Sequence, residues 1–424
     1  MLNQIKNIKP TKIFTNLESA ATFNFFILAF FTFMGTSLPF QERLVDAYEA
    51  ETTNIINQLV YIFLFISSGV LILQNPKNTF SFIRKEKYLS LFILFCLISF
   101  LWSNYSLISF KRSFQLFITF ITILNAVLYI RSDYLVISLK IVSYLYIIIT
   151  FFSGLLIPQA IDPIFGSWRG IELHKNLLGH TSLMIFTLGV YFFYESKNKF
   201  SKYNSLLLMV LSTLAIILSG SSTNMIGFII VILILFVTNI DKHFSTLGVG
   251  RLFSNLIIIT IILASIILSI YSEEILSFIP GLFGKDLSFT GRDLIWAYIW
   301  TEVQKKFWIG YGYGSYWIMG APVIDLFKSY VGWRVNEAHN GFLEIILQTG
   351  IIGFTFFVSI IGSFLHKIIK TGFTVALLAL VSIAIVNFSE SFIFQPRSPS
   401  TLEFMLFYLL ISKIYFQSHL IEKT

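Results

Sequence analysis

The chain has 424 residues, of which 56% are hydrophobic, 17% aromatic and 12% charged; its formal charge is +8 and its mean hydropathy +0.78. Soluble domains carry roughly 25% charged residues, so this chain lacks the polar surface to cover a water-soluble globule, a need that a lipid solvent removes. The basic excess does not point to a nucleic-acid partner, because the lysines and arginines are spread over short loops between apolar runs and form no extended arm.

In chain order, a leader with Lys6, Lys9 and Lys12 precedes the first apolar run, which has no small-x-small cleavage site and reads as a retained span. A crossing needs about 20 apolar residues. About twelve candidates follow, near 20–40, 55–74, 88–103, 114–130, 136–157, 177–194, 205–219, 223–239, 254–271, 342–365, 372–392 and 400–416. Only Ser219-Gly220-Ser221-Ser222 separates the seventh from the eighth, which predicts a tight turn and antiparallel neighbours. The single cysteine, Cys96, lies in an apolar run, so no intrachain disulfide is possible. With no repeat and no linker, residues 1–424 are expected to form one all-α integral membrane domain.

Alternation of the loops sets orientation. The Lys-rich N-terminus falls inside and the acidic stretch Glu42 to Glu51 outside. Loops with Lys77, Arg84, Lys85 and Lys87, with Lys197, Lys199 and Lys202, with Lys242 and Arg251, and with Lys367 and Lys370 all return inside, as does the C-terminus with Lys413 and Lys423. This is the positive-inside distribution. Two outer loops remain: a short one, Pro158 to Asn176, and a long one of residues 272–340, a length that usually carries function or its own structure.

The polar chemistry collects in these outer loops. Arg169, His174 and Lys175 crowd the end of the short loop; they read either as interfacial anchors or, against the usual charge bias, as an anion site. In the long loop, Thr290 and Asp293 form a possible capping box. Leu294, Ile295, Tyr298, Ile299 and Val303 then make an apolar face, with Trp296 and Trp300 on another, predicting an amphipathic helix at the membrane surface. Arg292 falls in its first turn, where backbone N–H groups also favour anions.

Further along, Gly310-Tyr-Gly-Tyr-Gly314 lacks the Gly-Lys-Ser/Thr of a phosphate loop and suits either sugar stacking or tight packing. Asn340 is a predicted N-cap for the following span. His339 sits just before it, with an ordinary pKa of about 6.5 suited to general-base work. Glu337, two residues away, is a second base or an orienter of the ring. No Asp-x-Asp, His-x-x-x-His or Cys-x-x-Cys spacing is present, so no metal site and no cofactor are expected.

These segments, in this order, resemble the O-antigen ligase/polymerase superfamily of bacterial envelopes. The residues that carry the resemblance are Trp168-Arg169-Gly170 with His174-Lys175-Asn176, Gly291-Arg292 with Trp296, Gly310 to Gly314, and His339-Asn340 through Gly350-Ile-Ile-Gly353. The resemblance implies a metal-independent, inverting glycosyltransferase at the outer face of the bacterial inner membrane, with both termini cytoplasmic. Its donor would be a glycan on undecaprenyl diphosphate. Its acceptor would be another lipid-linked glycan, lipid A-core, or a protein serine or threonine. By the same resemblance Arg169 and Arg292 hold the donor diphosphate and His339 acts at the acceptor hydroxyl; Lys175, His174 and Glu337 join them by proximity. A transporter or flippase of lipid-linked oligosaccharides is the competing reading, against which stand mid-span positions almost free of charge and halves that do not resemble each other.

Overall fold

The structure, a computed structural model, describes residues 12–35, 54–162, 166–244, 292–318 and 335–421. Thirteen α-helices run through these residues. They are α1 (Lys12–Met34), α2 (Ile55–Gln74), α3 (Pro76–Lys85), α4 (Lys87–Ile98), α5 (Ser106–Tyr129), α6 (Ser132–Leu156), α7 (Lys175–Glu195), α8 (Lys199–Ser219), α9 (Ser222–Phe244), α10 (Arg292–Lys305), α11 (Gly341–Thr371), α12 (Thr374–Val386) and α13 (Pro399–Ile421). The sole β-pairing among the described residues is an isolated bridge, Ile161 to Trp168. The chain is an all-α membrane protein.

Seven of these helices are long and apolar enough to cross a membrane, and three shorter apolar ones accompany them. Ten of the expected spans fall on these ten helices; the one near 254–271 and the capping box at Thr290 lie outside the described residues. The last candidate forms α13, which carries Ser400, Thr401, Glu403 and Ser412 and is enclosed by the bundle, with Leu402 through Leu409 buried without a break. It packs on α1, α5, α7, α11 and α12. A helix buried on every side is shielded from lipid by its neighbours, so it tolerates polar groups that find partners there.

Two expectations change. The tight turn after α8 is present, with Gly220 in the left-handed region (φ 57°). However, α8 pairs mainly with α7, while α9 swings away to pack chiefly on α12. The span expected at 372–392 stops at Val386, because Asn387 turns the chain: its amide donates to the Ile383 carbonyl (2.7 Å) and its Oδ1 accepts from the backbone of Phe392 and Ile393.

The long helix α11 fixes the vertical scale. The two helical segments of α11, on either side of a break at Gly350, together follow a path of about 39 Å from Gly341 to Lys367 at 1.5 Å per residue, enough to carry the chain from one membrane border to the other. Lys367 binds Glu86 (2.6 and 2.8 Å) and Ser412 (2.8 Å) in a buried knot at one end. The outer-loop residues gather at the other.

Candidate active site

At that other end, Asn340 caps α11 as expected, its Oδ1 accepting from the amides of Phe342 (3.0 Å) and Leu343 (3.1 Å). His339, immediately before it, has φ 48°, a left-handed conformation uncommon for a residue with a side chain. Its neighbours hold it there. The Asn340 amide donates to Ser391 Oγ (3.2 Å) and the Gly341 amide to the Asn387 carbonyl (2.8 Å). Gly341 is forced by contact: a Cβ there would lie 2.3 Å from Asn387 Oδ1. Buried Glu344, one turn into α11, accepts from the Ala338 amide (2.8 Å), from Trp317 Nε1 (2.9 and 3.0 Å) and from Gln348 Nε2. Trp296 of α10 donates to the Ala338 carbonyl (3.0 Å). The backbone on both sides of His339 is therefore pinned by three different segments.

The glycine loop resolves to tight packing. Helix α11 breaks at Gly350 (φ 63°, ψ −170°), which frees backbone groups inside an apolar bundle. The loop satisfies them. Ile351 and Ile352 donate to the carbonyls of Phe307 (2.8 Å) and Trp308 (3.2 Å), and the carbonyls of Leu347 and Gln348 accept from Tyr311 (3.1 Å) and Gly312 (2.9 Å). Tyr313, Tyr316 and Trp317 are buried, so these rings support the site rather than offer faces for sugar stacking.

Helix α10 exists, but its buried stripe is Ile295, Ile299 and Val303, packed on Ile346 and Leu347 of α11. Leu294, assigned above to the apolar face, is 54% exposed, and Trp300 is exposed too. Packing against α11 selects the i, i+4, i+8 stripe, one position narrower than the hydrophobic pattern suggests.

Glu390 is the hub of the polar cluster. It is 1% exposed and follows Asn387 in the turn after α12. Its Oε1 accepts from Asn176 Nδ2 (2.9 Å) in the first turn of α7 and faces Arg292 Nη2 (3.4 Å) at the start of α10. Its Oε2 lies 3.5 Å from His339 Nδ1, which also lies 3.3 Å from Glu337 Oε1. Burial alone would raise Glu390, but His339 at 3.5 Å and the positive field of Arg292 and His174 outweigh it and hold the carboxyl well below the usual range. Burial, with the nearby carboxylates, pushes Glu337 up to about 7. Burial opposes the charged form of His339, yet Glu337 and Glu390 together raise its pKa.

The cluster thus holds an ionised carboxylate, an arginine, a histidine biased toward imidazolium and a carboxyl poised near neutrality. Such displaced values in a turn at the membrane border mark a functional candidate. One ligand atom each of Glu337, His339 and Glu390 lie within 4.8 Å of one another, a grouping that the spacings considered above miss because Glu390 is distant in sequence. Arg292 already sets a cation against Glu390.

The other expected residues sit close by in sequence but differ in their bonds. His174 precedes α7 and its charge is felt at Glu390; Lys175 is buried at the first position of α7. Arg169 is 5% exposed and stitches its own loop, donating through Nε to the Gln159 carbonyl (2.7 Å) and through Nη1 to the Leu173 carbonyl (3.1 Å). Among the described residues no bond links its guanidinium to the Glu390 cluster. Glu390 and Asn387 are absent from the expected set; their one signal is the polar run Asn387-Phe-Ser-Glu-Ser391 at the end of an apolar stretch.

Comparison with known proteins gives two partial matches. Residues 207–358 match the family model described as O-antigen ligase, a stretch containing Arg292, Glu337, His339 and the Gly350 break but neither Arg169 nor Glu390. A segment of 78 residues is 35% identical to the exopolysaccharide production protein ExoQ of Rhizobium meliloti (strain 1021), covering 18% of this chain and 18% of that protein. Over residues 207–358, which supply Arg292, Glu337 and His339 to the polar cluster, the chain is therefore similar to the O-antigen ligase family, and it spans less than a fifth of the length of the exopolysaccharide production protein that it matches.

Proposed function

We propose that this protein is an inverting glycosyltransferase that moves a glycan from undecaprenyl diphosphate to an acceptor hydroxyl at the outer face of the bacterial inner membrane, without a metal. The observation that carries this reading is the Arg292–Glu390–His339–Glu337 cluster at the outer end of α11. When the glycosidic bond breaks, negative charge grows on the bridging oxygen of the lipid diphosphate. Cations fixed at the interface stabilise that charge more in the transition state than in the ground state. Arg292 supplies one such cation, held in place by Glu390, and its planar fork suits phosphate oxygens. His174, Lys175 and Arg169, on the loop entering α7, supply the others; Arg169 would exchange a loop carbonyl for a phosphate oxygen.

On the acceptor side, His339 takes the proton of the attacking hydroxyl as the new C–O bond forms on the face opposite the departing diphosphate. Glu337 and Glu390 orient the ring through Nδ1 and stabilise the imidazolium that results. Because both carboxylates raise the ring's pKa, the base form requires the His339–Glu337 pair to release a proton, and the rate rises with pH.

His339→Ala, Arg292→Ala and Arg169→Ala are each expected to abolish surface glycan assembly while the protein stays in the membrane. Normal glycan from well-expressed variants at all three positions would sink this assignment. Purified protein given radiolabelled lipid-linked donor without an ion gradient should transfer glycan to an acceptor; unaltered donor appearing across the bilayer would instead identify a flippase. Glycan gels of a deletion strain distinguish acceptors: loss of all chains from lipid core marks a ligase, core with a single repeat a polymerase, and altered mobility of a secreted protein a protein acceptor.

A further inference from the structure

A second charged feature lies at the opposite end of α11. Helix α3 is a ten-residue amphipathic helix set between the apolar helices α2 and α4, with Pro76 at its first position. Its inner face is anchored. Thr79 meets Tyr129 (3.3 Å), and the Phe82 ring meets Phe416 edge-on at 5.9 Å between centroids. Its outer face presents Lys77, Phe80, Ser81, Arg84 and Lys85, all exposed, around an open cavity of about 590 Å³. Spacings of three and four residues put Lys77, Phe80, Ser81 and Arg84 side by side on one face.

The positive charge of this face is not cancelled within the described residues. Glu86 is the one acid between Pro76 and Lys87, and it is buried and paired with Lys367 at 2.6 Å. Among the described residues no acid forms an ion pair with Lys77, Arg84 or Lys85; Lys85 instead lies 5.0 Å from the Phe416 ring. A surface helix with an exposed phenyl ring between two cations and a hydroxyl matches one partner in chemistry and position. The ring enters the acyl border, and the cations and Ser81 face a phosphate.

We propose that the outer face of α3 binds the headgroup of an anionic phospholipid of the leaflet in which α3 lies, on the membrane face opposite the Glu390 cluster. Lys77, Arg84 and Lys85 neutralise the phosphate, Ser81 donates to it, and Phe80 holds the glycerol–acyl junction. The charge of the surrounding inner loops makes that leaflet the cytoplasmic one.

The test uses the full chain, purified and delipidated, then titrated with phosphatidylglycerol or phosphatidylcholine in mixed micelles, with bound lipid counted by native mass spectrometry. Wild-type protein should retain phosphatidylglycerol selectively, and K77Q/R84Q/K85Q should retain it about a hundredfold more weakly, given the attraction each cation contributes near an anionic surface. Equal retention of the two lipids, or equal retention by wild type and variant, would overturn the proposal. So would full displacement of phosphatidylglycerol by inorganic phosphate, which would show a free-anion site. As a second measurement, Ser81→Cys carrying a polarity-sensitive fluorophore should shift to the blue in vesicles containing phosphatidylglycerol and stay unshifted in pure phosphatidylcholine; identical spectra would refute the placement.

Discussion

Replacing Glu390 by Gln tests whether the cluster is held together by charge. The substitution keeps size and an oxygen that can still accept from Asn176, but removes the anion facing Arg292 at 3.4 Å and His339 at 3.5 Å. At an effective dielectric of about 20, each of these contacts represents roughly 5 kcal/mol of gross Coulomb attraction. Desolvation offsets most of that gain, so the measurable quantity is the cost of leaving a partner stranded, about 3–5 kcal/mol for a buried pair. Arg292 and Glu390 are 19% and 1% exposed, so little of the effect is lost to solvent screening. The assay is equilibrium unfolding in mixed micelles for wild type, Glu390→Gln, Arg292→Gln and the double variant. If the hub is electrostatic, removing both partners costs less than the two single losses combined, by about 1–3 kcal/mol. Additivity to within about 0.5 kcal/mol would show that the two residues share a turn without sharing a charge interaction, and the reading of Glu390 as the hub would fall.

Three further outcomes follow from the same geometry. In the pH–rate profile of glycan transfer, the acid limb should lie above the ordinary histidine range, because Glu337 and Glu390 overcome burial and raise His339; Glu390→Gln removes one of them and should move that limb to lower pH, and an upward or absent shift would contradict the assignment. Gly350→Ala puts a Cβ 2.4 Å from the Trp308 carbonyl carbon at φ 63°, so it should destabilise the protein by at least about 1–2 kcal/mol from backbone conformation alone, with the 307–312 loop becoming protease-sensitive; an unchanged unfolding midpoint would show that the break is not required. Trp317→Phe deletes a donor to buried Glu344 and should cost about 1–3 kcal/mol, read as a lower midpoint, whereas no change would mean that Ala338 and Gln348 suffice to hold the carboxylate.

Much of the fold was legible from sequence because a bilayer demands apolarity residue by residue along each helix. That local demand located the spans, and the capping chemistry of Asn340 was local as well. The same locality identified Arg292, Glu337 and His339 as polar exceptions in the long loop between apolar runs. Failures came where a neighbour decided the outcome. Leu294 matched the apolar stripe of α10, yet α11 selected Ile295, Ile299 and Val303. The residues after Val386 looked like more span, yet Asn387 turned them into the clamp around Asn340 and Gly341.

Glu390 shows the boundary most clearly. It binds Asn176, 214 positions earlier, and meets Arg292 and His339 from two other segments. Lipid and helix interior are almost equally apolar, so a hydrophobic pattern announces that a helix crosses without announcing which helix it will touch. Composition and periodicity thus determined that this chain spans a membrane and where its polar loops fall. Only the packing of α7, α10, α11 and the turn after α12 decided which of those polar side chains meet, because their partnerships depend on helix neighbours rather than on residues nearby in the chain.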